Sequence, residues 1–168
     1  MTQSIYKSFW RTYACGQLNS NYKDQYVYLS GWVDNIRFQG SIAFVDLRDR
    51  SGIVQLIFFK KENIELFAIV KNLTKESVIN VGGMIVLRKD INPEMSTGTI
   101  EIAVDKLNML SESKLLPFDV MNRDDGPEEL RHKYRYLDLR SEELQHNLKI
   151  RNSLTTYIRH YMQSYDFL

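Results

Sequence analysis

Phe44 and Gln55 have the residue types and spacing with the most to offer chemically. They end the stretch FVDLRDRSGIVQ, where Val45 and Leu47 alternate with Asp46 and Arg48. After a polar turn at Asp49–Gly52, Val54 and Leu56 alternate with Ile53 and Gln55. An aromatic ring gives any nucleobase a stacking platform worth about 1–3 kcal/mol. A glutamine amide carries an acceptor and a donor side by side and can pair with the edge of a pyrimidine. Uracil presents acceptor–donor and cytosine donor–acceptor, so an amide held in one orientation tells them apart and a flipping one does not. Whether ring and amide share a face depends on the register of the hairpin. By themselves such residues are more often a ring on the second face of a barrel and a solvated amide.

Arg37, in the loop DNIRFQG beside Phe38, could contact phosphate or a purine edge, although a lone loop arginine is more often simply solvated. Arg88 and Lys89 end an apolar run, and Glu101 could accept from an exocyclic amine. KYRYLDLR (Lys133 to Arg140) is dense in base, aromatic and acid, and also fits a surface turn with self-paired charges. Nothing resembles a glycine-rich phosphate loop, a nucleophile with its base, or a carboxylate pair at convincing spacing, so no catalytic residue is assigned. His132, His146 and His160 read as exposed residues, and no metal site is expected.

The elements that must position these residues follow from periodicity. Period-two alternation marks strands at Gln25–Val33, Ile42–Arg48, Ile53–Phe59, Val78–Arg88 and Thr99–Leu107. Gly31 suggests a bulge or sharp bend in the first, and Gly52 allows a positive φ in the turn. A helix is expected over Glu62–Leu73, capped by Asn63. The order β-β-β-α-β-β leaves an open sheet with two edges and a bare face. A closed five-stranded barrel with one inter-strand helix removes both problems. The fold class is therefore an all-β OB-fold barrel, a common platform for oligonucleotides.

After Met109 the chain turns polar, with Pro117, Gly126 and Pro127, and reads as a linker. Asp125 ahead of Gly–Pro–Glu–Glu is a fair helix start. Ser141 can cap a long amphipathic helix to about Ser164, with Leu144, Leu148, Leu154, Ile158, Tyr161, Met162 and Tyr165 on one stripe. The expected organisation is an OB-fold domain over 1–110, a hinge over 111–130 and a C-terminal helical segment over 131–168.

Composition sets outer bounds. With 168 residues, 43% hydrophobic and 26% charged, this is an ordinary globular chain. A net charge of +1 argues neither for nor against nucleic acid. One cysteine, Cys15, excludes an internal disulfide, and a reducing cytosol fits best. No apolar run approaches a membrane span, and the N-terminus lacks the apolar core of a signal peptide.

Taken together and in order, YACGQL, LSGWV, FVDLRDRSGIVQ, TGTIEI and KYRYLDLRS followed by an NLKIR helix resemble the N-terminal part of bacterial-type aspartyl-tRNA synthetases, from about Arg11 onward. The class II synthetases for asparagine and lysine share the OB domain and the Phe…Gln pair. GQL with KYRYLDLR makes the aspartate family the closest fit. The resemblance implies that the barrel binds the anticodon stem-loop of a tRNA. Phe44 would stack the middle anticodon base, a uridine, and Gln55 would read its edge. Arg37 and Glu101 would serve the first base, with Arg88 on the neighbouring strand. It also implies a full-length homodimeric, cytoplasmic ligase that activates aspartate with ATP and Mg2+. The chain itself is then expected to be a catalytically inactive N-terminal fragment that needs no cofactor and could stand as a monomer. Its last helix would open a truncated α+β catalytic domain. Two departures thin the positive charge: Asn35 and Ile36 precede a single Arg37, and Val86 stands where a second basic residue is usual. A generic single-strand-binding OB module remains the alternative.

Overall fold

The computed structural model describes residues 10–121 and 126–168. Five strands, β1 (Tyr26–Gln39), β2 (Ile42–Asp49), β3 (Gly52–Phe59), β4 (Val78–Leu87) and β5 (Ile100–Ser111), close into a barrel in the order β1-β2-β3-β5-β4. Neighbours are antiparallel except β3 and β5, which run parallel with Leu56 beside Ile102. The OB-fold expectation is met, including helix α1 (Ile64–Lys71) between β3 and β4. Asn63 caps α1, its Oδ1 accepting from the Leu66 amide at 2.8 Å, and Leu66, Phe67 and Val70 turn inward.

The barrel interior is filled by alternate residues of every strand: Val27, Leu29 and Val33; Val45 and Leu47; Val54, Leu56 and Phe58; Ile79, Val81 and Ile85; Ile100 and Ile102. Each such aliphatic side chain contributes about 1.5–3 kcal/mol on burial, so the interior set fixes the register and the remaining residues face out.

β1 departs from the sequence expectation. DNIRFQG is not a loop; β1 continues through it to Gln39, and Arg37 pairs with Phe44 of β2. Nor does Gly31 form the bulge. It sits where β1 leaves β4 for β2, and a Cβ there would lie 2.4 Å from the Arg48 carbonyl oxygen. The bulge comes at Asp34: Val33 opposes Leu47, but Asn35 opposes Asp46. One extra residue exchanges the faces. Odd-numbered Val27, Leu29 and Val33 point inward before it, while Ile36 packs against the core after it and Arg37 is turned outward.

The bulge is tied down electrostatically. Buried Arg48 donates to Asp34 Oδ1 at 2.5 Å and to Glu76 Oε1. Glu76, at φ 66°, also donates its amide to the Val33 carbonyl at 2.7 Å. At the β2–β3 turn Gly52 takes φ 153°, and Asp49 accepts from the Cys15 and Ser51 amides.

The chain divides into two compact units, 1–115 and 116–168. In the second, Phe118, Val120 and Leu137 form a small core, so part of the expected linker is packed. KYRYLDLR falls in α2 (Glu128–Lys133) and α3 (Arg135–Asp138), where Arg135 donates to buried Asp138 at 2.5 Å. It is thus helical and partly buried, not a surface turn. Asp125 lies outside the described residues. The long helix α4 (Glu142–Gln163) forms as expected and none of its residues is buried. Ser141 stands at its N-cap, but the side chain makes no capping bond. No helix among the described residues is long and apolar enough to cross a membrane.

Candidate nucleic-acid interface

Three register relations bring the polar residues of the barrel's outer face together. β2 and β3 pair Phe44 with Ile57 and Asp46 with Gln55. Phe44 and Gln55 are therefore diagonal neighbours on one face, two positions apart rather than directly opposite. The parallel β3–β5 pairing sets Gln55 beside Glu101. The bulged β1 sets Arg37 beside Phe44, and Arg88, just past β4, donates its amide to the Thr99 carbonyl next to β5. Arg37, Phe44, Gln55, Arg88 and Glu101 all line one cleft of about 630 Å³, with Ile42, Ile57 and Lys89 among its other walls.

Gln55 is its fixed point. The residue is 3% exposed, so it is not the solvated amide that is the commoner case for a lone strand glutamine. Its Oε1 accepts from Arg37 Nη2 at 3.1 Å and from Arg88 Nη2 at 2.8 Å. Its Nε2 donates to Glu101 Oε2 at 2.9 Å. A guanidinium can only donate and an ionised carboxylate can only accept. Flipping the amide would point its N–H groups at two cations and its oxygen at an anion, so one orientation is imposed.

Sequence reasoning missed Asp46, whose two carboxylate oxygens each lie 3.4 Å from Arg37 Nη2. The signal was present: Asp46 is two residues from Phe44, hence on the same strand face. The bulge that brings Arg37 over it had no such signature.

Burial raises the pKa of Asp46, opposed by Arg37 and Arg88. Burial likewise raises that of Glu101, opposed by the Gln55 hydrogen bond and Arg88. A carboxyl that binds its proton more tightly folded than unfolded adds stability as pH falls through its folded pKa and loses it as pH rises. Glu101→Gln does not titrate there. The stability of wild type relative to Glu101→Gln is therefore expected to rise as pH drops from neutrality toward 4.5, the ordinary glutamate value. Urea melts of both proteins across that window measure it, and a relative fall would contradict the assignment.

Comparison with known proteins bears on the fold and the family. Residues 27–110 match the family described as OB-fold nucleic acid binding domain, and residues 127–168 match tRNA synthetases class II (D, K and N). The aspartate–tRNA ligase of Limosilactobacillus reuteri is 43% identical over 160 residues, covering 94% of this chain and 27% of the relative. The aspartate–tRNA(Asp/Asn) ligase of Chlorobium chlorochromatii is 41% identical over 167 residues, 98% of this chain and 27% of the relative. The asparaginyl-tRNA synthetase of Pyrococcus horikoshii, solved with asparaginyl-adenylate, superposes with a TM-score of 0.79 at 25% identity, over 90% of this chain and 34% of that one. The aspartyl-tRNA synthetase of Entamoeba histolytica shares the fold, with a TM-score of 0.86 at 18% identity over 100% of this chain and 40% of that one. The chain thus spans about a quarter of the length of its curated relatives, and it belongs to the family of OB-fold nucleic acid binding domains, in the form found in aspartate–tRNA ligases.

Proposed function

We propose that this chain binds the anticodon stem-loop of an aspartate-accepting tRNA in the Gln55 cleft. Phe44 stacks the middle anticodon base and Gln55 reads its edge. Arg37, Arg88 and Glu101 hold the amide and border the positions of the flanking bases. The observation that carries the reading is the Gln55 amide, buried beside an outward-facing phenylalanine and fixed by two cations and an anion. An amide that cannot flip is a reader; a module that binds single strands without preference has no use for one. Titrating the chain with stem-loops that differ only at the middle anticodon base tests this. Uridine should bind tighter than cytidine. Equal binding would leave only the generic single-strand module.

The whole protein, on this reading, is a dimeric cytoplasmic ligase that joins aspartate to its tRNA with ATP and Mg2+. ATP and Mg2+ belong, on this reading, to the ligation step of the whole protein. This chain's own contribution is to bind the anticodon loop and to orient one of its bases.

A further inference from the structure

We propose that the RNA surface of the barrel extends beyond the Gln55 cleft, along the outer face of β4 and β5, to Lys106, whose ammonium takes a backbone phosphate of the same RNA. The inference rests on the RNA-binding reading above and adds a contact that positions the strand without reading a base. The face is continuous with the cleft. Ile57 and Glu101 line the cleft, and Ala103 pairs with Ile57 of β3 and with Met84 of β4. One step on, Gly82 pairs with Tyr28 of β1 and with Lys106 of β5. Lys106 lies about 16 Å of strand past Glu101 in β5. An OB barrel engages about 4–16 nucleotides, so a strand with one base on Phe44 has chain enough to cover that distance.

Two features turn Lys106 outward and hold it there. The first is a bulge in β5: Gly83 opposes Val104 but Gly82 opposes Lys106, so Asp105 is an extra residue. Val104 is buried and Leu107 packs against the core, which leaves both Asp105 and Lys106 exposed. Without the extra residue the alternation would turn position 106 inward. The second is a pair of rings. The Lys106 ammonium stands 5.8 Å from the ring centre of Tyr26 and 6.0 Å from that of Tyr28, at the reach of a cation–π contact. The rings meet edge to face at 5.4 Å over Gly82, where a Cβ would come within 2.7 Å of Tyr26 Oη. Asp105 accepts from the Tyr26 hydroxyl at 2.5 Å, and among the described residues no carboxylate pairs with Lys106. Covering a glycine needs only the rings. An exposed ammonium held over them, with no anion of its own, is a ready partner for a phosphate.

The test reads salt dependence, because each phosphate that a cation neutralises adds about 0.7–0.9 to the slope of log affinity against log salt. Lys106→Gln should weaken binding of uridine and cytidine stem-loops by the same factor and lower that slope by about one such step. The wild-type advantage should therefore shrink about threefold between about 50 and 200 mM salt. Lys106→Arg should restore the slope. Lys71→Gln is the control: Lys71 also stands over a ring, that of Phe67 at 5.9 Å, but on helix α1. It should leave the slope unchanged. A folded Lys106→Gln protein with the wild-type slope, or an equal loss of slope in Lys71→Gln, would overturn the proposal. Should Lys106→Gln fail to fold, acetylation of wild type by an amine-reactive ester, read by mass spectrometry, decides instead. Bound stem-loop must slow the reaction at Lys106 and not at Lys71, and an unprotected Lys106 would overturn the proposal. If wild type binds no stem-loop at all, the RNA-binding reading itself fails, a result distinct from binding with an unmoved slope.

Discussion

Arg48→Met is expected to destabilise the barrel by about 3–5 kcal/mol, the range for removing one partner of a buried ionic cluster. Methionine can replace much of the aliphatic stem, so the loss comes mainly from what Arg48 leaves behind. The side chains of Asp34 and Glu76 are 14% and 5% exposed, and both are ion-paired to the Arg48 guanidinium. Burial already raises the pKa of Asp34, and Arg48 is the largest influence opposing it. Without the arginine Asp34 should take up a proton at still higher pH, so the deficit should be largest near neutrality and shrink in acid. Glu76 would lose its ion pair while its backbone stays in the left-handed region at φ 66°, a conformation that costs a non-glycine residue about 1–2 kcal/mol. Urea unfolding of wild type and variant at neutral and acid pH measures both magnitude and trend. A loss under 1 kcal/mol at neutrality would show that the cluster does not hold the bulge. Asp34→Asn, which removes one charge and keeps a hydrogen-bonding side chain, should cost less.

Phe44→Ala should weaken binding of the anticodon stem-loop by the stacking contribution, about 1–3 kcal/mol, and leave the fold intact. Phe44 lies on the outer face, while its strand neighbours Ala43 and Val45 are fully buried and carry the packing. The amide–arginine–carboxylate network does not run through the ring, so base preference should survive while affinity drops for every base alike. Fluorescence titration with uridine and cytidine loops, beside a thermal melt, separates the contributions. A melt that collapses would make Phe44 a core residue. An unchanged affinity with an unchanged melt would remove stacking from the mechanism.

The extent to which the fold was legible follows from the kind of residue involved. Strands β2 to β5 and helix α1 were readable because one face of each is apolar and the period of that face names the element. Asn63 marked the start of α1, and Gly52 marked the tight β2–β3 turn. β1 was readable only as far as Val33, because the alternation breaks at Asp34. A bulge and a loop look the same in one dimension, and only pairing with β2 shows that the strand goes on. The C-terminal helix α4 was equally plain from its period. Ser141 looked like a cap by residue type, but capping depends on the direction of one hydroxyl, which residue type does not set.

At the candidate site the residue types were determined by the sequence alone: an aromatic, an amide, two arginines and a carboxylate, on strands whose order implied a barrel. Their joint arrangement was decided by the tertiary structure. Phe44 and Gln55 share a face because of the hairpin register, Glu101 reaches the amide because β5 pairs with β3 across 46 residues of chain, and Arg37 faces outward because Asp34 is an extra residue in β1. Side-chain direction in a strand alternates with a period of two, so a single inserted residue reverses it. What fixes that residue is an ion cluster drawn from β1, β2 and the segment before β4, and no local pattern in the sequence contains all three.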